Sequence, residues 1–265
     1  PPAYIICMGV YSNASIGVRK KSVGENTYKT VRGRTIVSKR IVENSSKTQP
    51  QTEQRKAFSV MGKSGKLLSK WIDRTFDKTK YGSQRNNYVK LNAPVMAWLK
   101  SNDKLGGSNY IKQIADAIEG DVPVYAGFGS NLCESEFTQT DKELSVNLVF
   151  SKVLTVGDKV VIVVAQSYSK HVPGVDGMNL LATFNSAPIF EYSVTEADAG
   201  VNTISIDKAK IPALATACAP MNTYNQIAII ASAAIISGKE TCQCYFSSLE
   251  LYEEPGGEDD RPVIE

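Results

Sequence analysis

Glu143-Leu144-Ser145-Val146-Asn147-Leu148 places an apolar side chain at every second position, and Val160-Val161-Ile162-Val163-Val164-Ala165 is apolar throughout. The first pattern belongs to a strand with one face on a core and one in water; the second belongs to a central strand. Similar short runs stand at Val122–Ala126, Leu144–Phe150, Lys159–Ser167, Asn179–Phe184, Ile189–Val194, Asn202–Ile206, Gln226–Ile236 and Thr241–Leu251. Gly157-Asp158, Pro173-Gly174, Asp176-Gly177 and Gly238 supply turn signals between them. Strands at this spacing predict an antiparallel β-sandwich, immunoglobulin-like or jelly-roll, over residues 121–252.

Upstream of Gly120 the period changes. Thr48-Gln49-Pro50 resembles a helix start, and Phe58, Met61, Gly65, Leu68, Ile72 and Phe76 follow at helical spacing, with Lys56, Lys63, Lys66, Lys70 and Arg74 on much of the rest. A second helical stretch covers Gln84 to Lys100, where Pro94 is expected to kink or split it. A third runs from a Ser108 cap through Tyr110, Ile111, Ile114 and Ile118 to Gly120. These make a helical region over residues 48–120. Before it, Thr27 to Val42 is rich in Thr, Val, Ile and Tyr, with Gly33 at a turn or bulge, and reads as a basic β-ribbon within an extended arm, residues 1–47. Residues 253–265 are acidic and contain Gly and Pro, which predicts a mobile tail. The fold class expected is therefore α+β.

The chain has 265 residues and a net charge of +3, and that small figure hides a segregation. Residues 1–112 carry 22 Lys/Arg against 6 Asp/Glu, a net +16, while residues 113–265 carry 8 against 21, a net −13. Such asymmetry points to an interaction that uses charge, either with a polyanion or with the acidic face of a neighbouring copy. Five cysteines, Cys7, Cys133, Cys218, Cys242 and Cys244, are too sparse for a disulfide scaffold and read as reduced thiols of a protein made in a cytoplasm. No apolar run reaches the length of a membrane span, and Pro1-Pro2-Ala3-Tyr4 lacks the layout of a signal peptide.

Motifs of chemistry are scarce. Gly62-Lys63-Ser64-Gly65-Lys66 looks like the end of a phosphate-binding loop, but Ala57 stands where the pattern needs its first glycine, and a helix surrounds it instead of a preceding strand. His171 is the only histidine and sits beside Lys170 and Pro173, in what reads as a loop. Gly127-Phe128-Gly129 lacks the third glycine of a dinucleotide fingerprint. Cys242 and Cys244 share one face of a strand and read as small core residues, with a metal pair as the alternative. Glu134 and Glu136 alternate as an ordinary solvent face does, and Glu196-Ala197-Asp198 reads as a solvated turn, with a divalent cation as its alternative. No catalytic residue, metal or cofactor is expected. The stronger signal is basic: Arg32, Arg34, Lys39, Arg40, Arg55 and Lys56 are the expected contacts to an anionic partner or a second subunit.

The run Val31-Arg32-Gly33-Arg34-Thr35-Ile36-Val37-Ser38-Lys39-Arg40, followed by Thr52-Glu53-Gln54-Arg55-Lys56-Ala57-Phe58, resembles the N-terminal signature of an uncharacterised family of gut Bacteroidota and their tailed, crAss-like phages. It departs where Gln49-Pro50 stands in place of the family's Asn-Pro. Tyr88-Val89-Lys90-Leu91-Asn92 and Gly157 to Val164 resemble later segments of that family. The resemblance implies a structural virion protein, capsid-associated, ring or tail, that assembles with copies of itself and other virion proteins. It implies a virion location, synthesis in the host cytoplasm, and no catalytic residues. Packaged DNA is a possible partner of the basic half; no membrane is expected. Two other functions remain open at this point: a sequence-nonspecific DNA-binding or condensing protein, and a carbohydrate- or receptor-binding sandwich using Tyr168, Tyr192 and Tyr224.

Overall fold

The helical and strand periods both appear, and the protein is a mixed α+β fold. The structure, a computed structural model, describes residues 9–11, 21–23, 25–31, 34–40, 48–78, 82–106, 109–140, 143–173, 179–219 and 225–251. Contacts divide the chain into two units, residues 1–49 and 50–265.

In the first unit, β1 (Gly9–Tyr11), β2 (Lys21–Val23), β3 (Asn26–Val31) and β4 (Arg34–Lys39) form an antiparallel sheet in the order β1-β4-β3-β2. β3 and β4 pair from Asn26↔Lys39 to Val31↔Arg34, so the expected ribbon is present as a hairpin. It is the middle of a four-stranded sheet, however, because β1 and β2 pair along its two edges. Each flanking strand is only three residues long, too short to show a period in the sequence.

In the second unit, α1 (Gln49–Leu67) starts with Pro50 in its first turn, where a missing N–H costs nothing. Its inward face is Ala57, Val60, Met61, Ser64 and Gly65. Met61, Gly65, Leu68, Ile72 and Phe76 are buried as expected, whereas Phe58, also expected in the core, is 50% exposed and its neighbour Ala57 takes the inward place. The expected single long helix breaks at Leu68, after which α2 (Ser69–Thr75) buries Trp71, Ile72 and Thr75. The Pro94 stretch is split into α3 (Gln84–Leu91) and α4 (Ala93–Ser101) at the buried Asn92. α5 (Tyr110–Glu119) is capped by Asn109, whose side chain accepts from the N–H groups of Ile111 and Lys112; Ser108 lies outside the described residues.

The strands that follow are β5 (Tyr125–Gly127), β6 (Asn131–Thr140), β7 (Glu143–Phe150), β8 (Lys159–Pro173), β9 (Asn179–Ser186), β10 (Ile189–Ser193), β11 (Thr203–Ile206), β12 (Asn225–Ile236), β13 (Cys242–Tyr245) and β14 (Ser247–Leu249). One five-stranded sheet runs β10-β8-β12-β14, with β9 also on β8; the other runs β11-β7-β6-β13-β5. β12 meets α5 on one side and β6, β7 and β13 of the other sheet on the other. Coverage on both faces is why Val160 to Ala165 and Ala228 to Ile235 are buried without alternation.

Three expectations are corrected here. β6 pairs β13 in parallel, so the second sheet is not purely antiparallel. His171 lies within β8, opposite Leu181, and not in a loop. Residues 131–140 form a ten-residue strand that the sequence did not announce. Among the described residues no helix is long and apolar enough to cross a membrane. The expected tail, residues 253–265, lies outside the described residues.

Candidate functional site: two charged faces

Burying one face of α1 fixes what the other face presents. With Ala57, Met61, Ser64 and Gly65 turned inward, Arg55, Lys56, Ser59, Lys63 and Lys66 are exposed, and Lys70 continues the row on α2. None of these cations is in an ion pair among the described residues, whereas Arg74, one turn on, bonds Glu191 at 3.0 Å. Phe58 is exposed too, but it lies two positions from Lys56 and five from Lys63, on the other flank of α1. The inner face is tied down by Ser64, whose hydroxyl donates to Met61 O at 3.1 Å and lies 3.1 Å from Tyr88 Oη. Burial pushes the Tyr88 phenol up to about 12, so it stays a protonated partner at any physiological pH.

Lys56, Ser59 and Lys63 also form one wall of a groove whose other wall is Leu105, Tyr110 and Gln113, enclosing about 200 Å³. The Tyr110 phenol is raised by burial and keeps its proton. Gly62 to Lys66 is part of this helix, so its N–H groups are spent on the helix ladder, and the phosphate-loop reading ends there.

The opposite charge lies on the outer face of the second sheet. Glu134 pairs across from Val149 and Glu136 across from Asn147, and Thr203 and Ser205 of β11 extend both rows. Direct partners in a ladder point to the same side, so both carboxylates share one solvent face. Neither is in an ion pair among the described residues, unlike Glu143, which bonds Lys208 at 2.7 Å. Val149 is 45% exposed, and a recess of about 240 Å³ runs between β7 and β11 beside it.

Of the six predicted contacts, Arg55 and Lys56 are together on α1. Lys39 and Arg40 are exposed at the end of β4, in the other unit. Arg34 is in β4 opposite Val31, and Arg32 lies outside the described residues. The prediction left out Lys63 and Lys66, and took Glu134 and Glu136 as an unremarkable surface. The signal that finds them is the contrast in charge between two solvent faces of one unit: residues 50–112 carry 13 Lys/Arg against 4 Asp/Glu, a net +9.

Other candidate chemistry resolves into structure. Asp198 accepts from Lys210 at 2.7 Å, Tyr192 at 2.5 Å and Thr195 at 3.1 Å, and these bonds, the lysine's first, hold its carboxyl below the usual range. Tyr168 is 2% exposed and Tyr192 is committed to Asp198, so neither of these two rings is free to stack on a glycan; Tyr224 lies outside the described residues. Cys133, Cys242 and Cys244 form one buried cluster. Cys242 sulfur accepts from Cys133, from Cys244 and from the Ile235 N–H at 3.3 Å, which lowers its proton affinity and raises that of the other two. Among the described residues no group of His, Cys, Asp and Glu is arranged to hold a metal. Compared with protein-family models and with curated proteins, the chain matches none.

Proposed function

We propose that this chain is a non-enzymatic structural subunit that assembles by charge complementarity, and that its setting is the particle of a tailed phage, as a capsid-associated, ring or tail component. The observation that carries the assembly reading is the pair of uncompensated faces: a row of cations on α1 and a pair of carboxylates on β6, both on folded elements of one unit. Exposed charges of opposite sign steer encounter and fix register when they meet. The phage setting rests on the sequence resemblance described above. The two contacting five-stranded sheets support a β-sandwich as the body of the subunit.

The test is the solution mass of nuclease-treated protein by light scattering at low and high salt. A discrete multimer that dissociates as salt rises is the expected result. A monomer at every salt overturns the reading. The second reading, sequence-nonspecific DNA binding, is favoured by the same unpaired cations of α1, which do not need an acidic protein face. Its mark is an affinity for any duplex that falls steeply and log-linearly with salt.

A further inference from the structure

We propose that the partner of the α1 face is the outer face of the second sheet on another copy of this chain, with Glu134 and Glu136 seated against Lys56 and Lys63. This rests on the assembly reading and names its contact. The cations of Lys56 and Lys63 are seven residues apart on one side of α1 and flank the groove of about 200 Å³. Two helical turns separate them by ~10 Å along the axis. The two carboxylates are two residues apart on a strand, about 7 Å. Lysine stems are long enough to close that difference, so each carboxylate can meet one ammonium.

Apolar surface accompanies charge on both sides. Leu105 and Tyr110 line the groove beside Lys56 and Lys63, and Val149 stands exposed beside Glu134 with its recess against β11. Apolar and aromatic groups beside lysines, facing an exposed valine among carboxylates, have the mixed composition of a protein interface. Around the carboxylates the sheet face carries Thr138, Ser145, Asn147, Thr203 and Ser205, short polar side chains, with the exposed Leu132 next to Glu134.

The two faces are different surfaces of one unit, so the contact is head-to-tail. Head-to-tail contacts close into a ring when the rotation between copies divides a full turn, and run on as a filament when it does not. Either outcome suits a subunit that repeats around or along an axis.

The experiment uses full-length chains. One variant carries Lys56→Glu with Lys63→Glu, a second carries Glu134→Lys with Glu136→Lys, and a third carries all four substitutions. Light scattering at low salt should find each double variant at the monomer mass. A 1:1 mixture of the two should assemble above the monomer mass, because each then offers the face the other lacks; the quadruple variant should recover the parent mass alone. Far-ultraviolet circular dichroism confirms that each variant is folded. A Glu134/Glu136 variant that assembles like the parent overturns the contact while leaving charge-driven assembly intact. A mixture that stays monomeric beside a multimeric parent overturns it too. A parent that is itself monomeric at every salt overturns both the contact and the assembly reading.

Discussion

Where α2 and α3 meet β5, polar groups are few, buried and hydrogen-bonded; the cations along α1 are many, exposed and without an ion pair among the described residues. At the seam, Trp71 Nε1 donates to Ala126 O at 2.7 Å and Thr75 Oγ1 donates to the same oxygen at 3.0 Å. Asn92 donates to Tyr88 O and Tyr125 O, each at 3.0 Å, and its own oxygen accepts from the Tyr125 N–H at 2.8 Å. Gly129 leaves no room for a side chain, since a Cβ there would stand 1.9 Å from Thr241 O. The α1 face has none of this: its cations face water without partners among the described residues. A buried group without a partner costs stability, so the seam has to be complete in the lone chain. An exposed cation is hydrated and costs little, so a face can wait for its partner.

That contrast breaks first at Trp71. Trp71→Ala removes a fully buried indole and one donor to Ala126 O, and the expected loss is about 3–5 kcal/mol. This is a large part of the stability of an ordinary domain, so the midpoint of urea unfolding should drop sharply. A loss below about 1 kcal/mol would mean that the seam does not hold the helices to the sheets. Asn92→Ala comes next, at about 2–3 kcal/mol, because the Tyr125 N–H and Tyr125 O lose their side-chain partner inside the protein, while Tyr88 O keeps the backbone N–H of residue 92. Asn92→Asp should not rescue it, since a carboxylate cannot donate to Tyr88 O or Tyr125 O.

Asn92 also marks what the sequence does and does not display. Its position gives no sign of burial: a lone Asn before Ala93-Pro94 reads as a break between helices, and only the fold brings Tyr125 to it. α5 was legible because Ile111, Ile114 and Ile118 repeat at helical spacing, and β7 because Leu144, Val146 and Leu148 alternate. β6 was hidden because Cys133 is its one fully buried residue and the rest are mostly Glu, Ser, Thr and Gln. Phe58 misled for the reverse reason: apolar size suggested the core, but Ala57 takes the inward place and Phe58 falls outside the buried face of α1. The cations of the site were legible as composition; their lack of counter-charge, and the carboxylate row that answers them, needed strand register.

Asp198 tests the boundary between the two kinds of region, since it is charged but matched. Its carboxyl is held below the usual range by Lys210 first and Tyr192 second, so the folded state binds its proton less readily than the unfolded chain does. The stabilisation is therefore full above the ordinary carboxylate range and lost as pH falls through the lowered value. Asp198→Asn should cost about 1 kcal/mol at neutral pH. It should also make stability less steep as pH falls below the ordinary carboxylate range, where the carboxylate would have titrated. Unfolding curves with the same pH slope in both proteins would place Asp198 among the unmatched surface charges instead.

The smallest effect is the most informative. Lys63→Glu with Lys66→Glu alters two exposed side chains of α1 that have no ion pair among the described residues. Within the helix, like charges three apart repel by roughly 0.2–0.5 kcal/mol, and reversing both keeps that repulsion. Lys66 is in the last turn of α1, where a cation favours the helix end by a few tenths, and a glutamate there loses about that much. Relief comes from the neighbours, because Lys56 and Lys70 then face an opposite charge in place of a like one. The contributions oppose one another, and the net change in unfolding free energy should stay within about 0.5 kcal/mol. High salt is the right condition for the measurement, since parent and variant are then both expected as monomers and assembly cannot add to the apparent stability. A cost above about 1 kcal/mol would make these lysines part of what holds the fold. A silent unfolding curve beside lost assembly would separate the two regions by experiment: one maintains the subunit, the other joins it to the next.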